Sequence, residues 1–181
     1  MQFPKVSGSN LEGRRFQLPG DLEGELNLLF IPFQRWHQDW VDTWVPFAQE
    51  LQAEIQGLRY YELPTLPRMN PLYRMSLDLG MKMGIPDRAA REATITLYLD
   101  KDAYRQALQI PSEDTIVLLL IDRMGTILWR TKGRLTMSKR PFYVHFSPAA
   151  RQRSLRSLFP ERSNIRASLV PQGHGLALQH K

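Results

Sequence analysis

The sequence predicts an α/β domain: a central mixed sheet of about five strands with helices on both faces. Three observations carry this reading. Two short, dense apolar runs, residues 26–33 and 115–122, have the length and composition of strands buried on both faces. Trp36, Trp40 and Trp44 recur every four residues directly after the first run, which is helical spacing. Strand-like and helix-like segments then alternate, as they do when helices cover a sheet.

The elements follow in order. Asn10-Leu11-Glu12-Gly13 and Leu18-Pro19-Gly20 place turn formers between short apolar positions, so the chain opens on paired strands. Residues 26–33 form a central strand interrupted only by Asn27. A helix is expected over 36–55, with Pro46 inside it removing one hydrogen bond and kinking it. A strand over 58–63 ends at Pro64. Residues 70–84 read as a helix with Leu72, Met75, Leu79 and Met83 on one side, stopped by Gly84 and Pro86. Asp87 caps a short turn. A strand over 94–99, a helix over 100–108, a strand over 115–122, a turn at Asp122-Arg123-Met124-Gly125 and a strand over 126–131 complete the domain. Beyond it, Ser147-Pro148 opens a basic helix over 147–160, and 161–181 reads as a flexible tail. The domain is taken as 1–146.

Composition excludes several function classes. The 181 residues include no cysteine, which removes disulfides, thiolate metal sites and any thiol nucleophile. No apolar run reaches the length that spans a membrane, and the N-terminus has no apolar core of a signal peptide, so a cytoplasmic protein is expected. The net charge of +6 is uneven: nine Lys/Arg face one acid from Arg134 onward, against fifteen and seventeen before it. Such a basic end favours an acidic partner or peripheral contact with an anionic membrane. Nucleic-acid motifs are absent, and aromatics do not interleave with the basic residues.

The order of elements resembles the peroxiredoxin and thiol-disulfide-reductase branch of the thioredoxin-like superfamily. The residues that carry the likeness are Phe3-Pro4, Leu11-x-Gly13, Phe16-x-Leu18, Leu22-x-Gly24, Val45-Pro46-Phe47 and Leu119-Leu120-Ile121-Asp122-x-x-Gly125-x-Ile127. They cover roughly residues 3–135. Carried over from Pro46, the branch's two redox cysteines fall at Gln38 and Val41, and its cis-proline falls near Ile116. The resemblance thus implies the fold without its thiol chemistry. A narrower likeness, through Trp44-x-Pro46-Phe47, Tyr60-Tyr61-Glu62-Leu63 and Leu120-x-Asp122-x-x-Gly125-x-Ile127-x-Trp129-Arg130, is to the thioredoxin-fold mitochondrial ATP synthase assembly factors, which lack these cysteines. It implies a binding, assembly or chaperone role with no catalysis, and no cofactor is expected.

The candidate binding residues are Trp36, His37, Gln38, Asp39 and Trp40 at the start of the first long helix, and Arg151, Arg153 and Arg156 in the basic helix. Helix N-termini favour anions, so His37 and Asp39 could serve an anion- or metal-dependent enzyme; otherwise this is a surface loop with Asp39 stabilising the helix start. The Trp stripe reads first as core and second as a partner face, with Trp36 the residue best placed for exposure. Met69, Met75, Met81 and Met83 read first as core filler and second as an apolar binding surface. Asp100, Asp102 and Asp122 read as turn and cap residues ahead of an acid–base site. The arginine-bearing helix reads equally as a docking face and as packing on its own domain.

Overall fold

The structure is a computed structural model and describes residues 1–136. Met1–Leu135 form one compact unit. The helix expected over 147–160, the tail over 161–181 and the candidates Arg151, Arg153 and Arg156 lie outside the described residues.

The chain opens on a hairpin, β1 (Val6–Asn10) and β2 (Arg15–Leu18), paired antiparallel. Its turn is tied by Asn10 Oδ1, which accepts from the backbone of Glu12 and Arg14. β3 (Leu26–Ile31) is buried along its whole length, as its unbroken apolar run requires. The one polar residue, Asn27, exchanges two hydrogen bonds with the Gly24 backbone, so its buried amide is satisfied. Gly24 has to be glycine, because a Cβ there would stand 2.4 Å from the Leu26 carbonyl oxygen.

α1 (Gln38–Glu54) follows a single 3₁₀ turn at Arg35–His37, two residues later than the expected start, and contains Pro46. β4 (Leu58–Glu62) runs parallel to β3. β4 ends before Pro64 as expected, and the chain passes straight into the other sheet, where β5 (Thr65–Pro67) pairs with β6 (Ile95–Leu99). α2 (Pro71–Gly84) and α3 (Arg88–Ala93) lie between β5 and β6, capped by Asn70 and Asp87. α4 (Lys101–Ala107), capped by Asp100, leads to β7 (Val117–Asp122) and β8 (Ile127–Lys132), joined by a turn in which Asp122 Oδ1 accepts from Met124 and Thr126.

The strands form two four-stranded sheets, β4-β3-β7-β8 and β2-β1-β6-β5, in place of one sheet of about five. They meet where β4 passes into β5: Glu62 bridges to Thr94, and the Leu97 N–H donates to the Pro64 carbonyl at 2.9 Å. Alternation sends Leu29, Ile31, Leu119 and Ile121 into a core with Tyr104, Leu108 and Leu97. Leu28, Phe30, Leu118 and Leu120 are buried on the opposite side. α1 packs beside β4 and buries Val41, Trp44, Phe47, Ala48 and Leu51.

One packing expectation holds in part and one is overturned. The Trp stripe divides along the helix: Trp44 is 1% exposed, Trp40 is half-buried and Trp36 is 52% exposed. The methionines do not fill the core, since α2 has no buried residue and Met75 and Met83 stand in solvent. The periodicity that marks an amphipathic face does not say which way the face points. Asp100, Asp102 and Asp122 are cap, ion-pair and turn residues respectively. Among the described residues no helix is long and apolar enough to cross a membrane.

Candidate functional site at the start of the first long helix

β3 ends at Ile31, and the chain turns through Pro32, Phe33 and Gln34 into α1. His37 organises this turn. Its backbone N–H donates to the Gln34 carbonyl at 3.0 Å, and its Nδ1 accepts from the Phe33 N–H at 3.1 Å. His37 is therefore not part of a surface loop, because its side chain is wholly buried. With Nδ1 accepting, the neutral ring carries its proton on Nε2, which is buried without a partner. Burial is the main force lowering the His37 pKa; the nearby Lys101 charge adds to it, and Glu113 and Asp114 oppose it.

The neighbouring indoles pack on this ring. Trp40 stacks on His37 with centroids 5.6 Å apart and planes 11° from parallel. Trp36 meets His37 edge-on at 4.2 Å and Trp40 edge-on at 5.1 Å. Trp36 is thus an exposed indole held by two aromatic contacts. Such a group offers a large apolar surface at low ordering cost when a partner binds. Trp44, one turn on, is a core residue whose indole N–H donates to the Gly133 carbonyl at 2.9 Å.

Gln38 is the first residue of α1, exposed, and its amide donates to Asp42 at 2.9 Å. Glu62, at the end of β4, lies against the same amide. Burial pushes the Glu62 carboxyl up to about 7; the Gln38 hydrogen bond opposes this and the Asp42 charge adds to it. Glu62 and Asp42 were not singled out in the sequence. The available signal for Glu62 is a lone charged residue inside the otherwise apolar Tyr60–Leu63 run. Asp39 is exposed in the first turn, where a negative charge suits the helix N-terminus. Val41, three residues after Gln38, is completely buried.

The facing loop, 109–116, is fixed by charge. Glu113 accepts from Lys101 and, at 3.0 Å, from Gln34, and its other oxygen lies 3.6 Å from Arg105 Nε. Lys101 also reaches the Phe33 carbonyl at 3.5 Å, so the loop, α4 and the end of β3 are tied together. Ile116, where a cis-proline would stand, is a buried isoleucine, and the only cis bond among the described residues is Leu18-Pro19. Among those residues no group of three or more His, Asp or Glu side chains is placed to hold a metal. A cleft of about 440 Å³ lies away from this end, near Glu12, Arg14, Arg59 and Tyr61. Of its charges, Arg14 pairs with Glu23, and Glu12 with Lys82 and Arg91.

Comparison with known proteins supports the fold and goes no further. No protein-family model and no curated protein matches the chain. A protein from Aquifex aeolicus named for electron transfer superimposes with a TM-score of 0.55 at 11% identity, over 79% of this chain and 92% of that one. The thioredoxin domain of a thiol-disulfide oxidoreductase from Bacteroides vulgatus aligns with a TM-score of 0.48 at 15% identity, over 80% and 94%. The exposed lipoprotein thioredoxin of Streptococcus pneumoniae gives 0.49 at 11%, over 85% and 99%. The superposition on the Aquifex protein shows a shared fold, and the chain that adopts it here has no cysteine.

Proposed function

We propose that this protein is a redox-inactive thioredoxin-fold module that binds a protein partner, in an assembly or chaperone role, through the end of the fold where α1 begins. The observation that carries the proposal is Trp36: half-exposed, and held by His37 and Trp40 beside positions that carry an amide and an aliphatic side chain. Disulfide exchange and thiol-based peroxide reduction both need a thiolate, which Gln38 and Val41 cannot supply. Gln38 and Asp39, both exposed, supply polar contacts at the rim of the indole. Arg151, Arg153 and Arg156 form a second contact region suited to an acidic surface, an assignment that rests on the charge excess of that part of the sequence. The likeness to the ATP synthase assembly factors points the same way.

The alternative is a metal- or anion-dependent enzyme at His37 and Asp39. Against it, His37 Nδ1 is occupied by the Phe33 N–H, its ring is buried, and Asp39 points a separate carboxylate to solvent.

The test is capture of partners by the intact chain and by Trp36→Ala, with bound proteins quantified from the cells that make this protein. A protein retained by the intact chain and depleted at least tenfold by Trp36→Ala is the expected result. Equal retention by both chains, or retention of a small molecule alone, would remove the proposed surface.

A further inference from the structure

α2 is built inside out. Its polar residues face the domain: Asp78 accepts from the Tyr98 hydroxyl at 2.6 Å, the Arg74 guanidinium lies 4.4 Å from the centre of the Tyr98 ring, and Lys82 donates to Glu12 at 3.2 Å. Its apolar residues face solvent. Leu72 is 74% exposed, Met75 65%, Leu79 57% and Met83 77%, with Tyr73 beside them. At 3.6 residues per turn the apolar and small residues from Met75 round to Leu77 span an arc of about 200°, roughly half the circumference. Leaving such a face in water is unfavourable, so its exposure marks a contact site.

Charge selects the occupant. Between residues 68 and 92 five basic residues face three acids. All three acids are engaged locally: Asp78 with Tyr98, Asp87 as the cap of α3, and Glu92 with Arg88. No carboxylate points out along the apolar face; exposed Arg68 stands at one end, and at the other Arg88 is exposed beside its ion-pair partner Glu92. The face is a convex ridge with a wide apolar arc, the shape of a helix lying half-immersed in a bilayer surface rather than of a groove that receives a peptide.

We infer that α2 docks this protein onto an anionic lipid bilayer, with Leu72, Met75, Leu79 and Met83 entering the acyl boundary and the flanking arginines meeting the headgroups. This contact is independent of the partner surface at Trp36.

The experiment is flotation of the full chain with vesicles of phosphatidylcholine alone and of phosphatidylcholine with an equal part of phosphatidylglycerol. The variants are Leu79→Asp, Met83→Asp and, as a control on the exposed β7–β8 turn, Met124→Asp. Thermal unfolding verifies that each variant is folded. The expected result is binding to the anionic vesicles that falls about tenfold or more in Leu79→Asp and in Met83→Asp, and not in Met124→Asp. Several results would overturn the inference. One is no binding at low salt, and another is binding that neither α2 variant weakens, which would assign it to basic residues elsewhere. A dimer in solution that Leu79→Asp dissolves would give the face to a second copy. A protein lost from capture by Leu79→Asp, with no vesicle binding, would give it to a protein.

Discussion

Replacing Glu62 by Gln should change how stability depends on pH, in a direction set by burial. The carboxyl's pKa is about 7 in the folded protein against an ordinary 4.5, chiefly because the end of β4 removes it from water. Below about pH 4.5 the group is protonated in both states and contributes no difference. As pH rises, the unfolded chain releases this proton first, so the folded state loses relative stability until the folded carboxyl also ionises, near pH 7. The gap corresponds to a ceiling of roughly 3 kcal/mol. Glu62→Gln keeps the shape and the capacity to bond Gln38 but cannot ionise. The variant should match the parent at about pH 4.5 and exceed it by up to roughly 3 kcal/mol at about pH 8. His37 contributes in the opposite sense, since burial lowers its pKa and its stabilisation is lost as pH falls below the ordinary 6.5. Both chains share that contribution, so it cancels in their difference. Urea unfolding across this range, read by tryptophan fluorescence, measures the difference. A stability gap that does not vary with pH, or one that widens toward acid, would refute the reasoning.

Other predictions concern packing and the site. Gly24→Ala should cost more than about 2 kcal/mol, because the new methyl meets the Leu26 carbonyl and Asn27 and breaks their paired hydrogen bonds; denaturant melts check this. Trp44→Phe should destabilise by about 1–3 kcal/mol through the lost indole bond to Gly133 and the space left behind, whereas Trp36→Ala should change stability by under about 1 kcal/mol. The parent chain should show only background insulin reduction and peroxide turnover. With Gln38 and Val41 both replaced by Cys, the side chains stand one helical turn apart at the positions the resemblance indicates, and thiol titration should show an intramolecular disulfide. Two persistently free thiols under mild oxidant would contradict that register.

Much of the fold could be read from the residues because each signal had one physical meaning. A six-residue apolar strand such as β3 or β7 has to be buried on both faces, and Asn70-Pro71, Asp87 and Asp100 have the chemistry of helix caps. Other features had two meanings. The Leu-Met stripe of α2 defines a face whether it turns inward or outward, and what decides is Tyr98, a residue 20 positions beyond Asp78. Pro64 ends a strand in sequence, but it does not show that the chain passes directly into a second sheet, in which the Pro64 carbonyl accepts from Leu97. At the site, the three tryptophans have equal spacing and unequal surroundings, because α1 reaches over the sheet only from Val41 onward and leaves Trp36 at its edge. The burial of His37 depends on one hydrogen bond from Phe33, and the raised pKa of Glu62 on the approach of α1 to the end of β4. The first is a contact between residues four apart and the second a meeting of two elements, and neither shows in the residue types alone.

The claim that the start of α1 is a binding surface is tested most directly by hydrogen exchange on the intact chain, with and without the protein it captures. Slowed exchange concentrated in amides 34–42, and absent in Trp36→Ala, is the predicted result. Slowed exchange confined to other elements, with 34–42 unchanged, would contradict it.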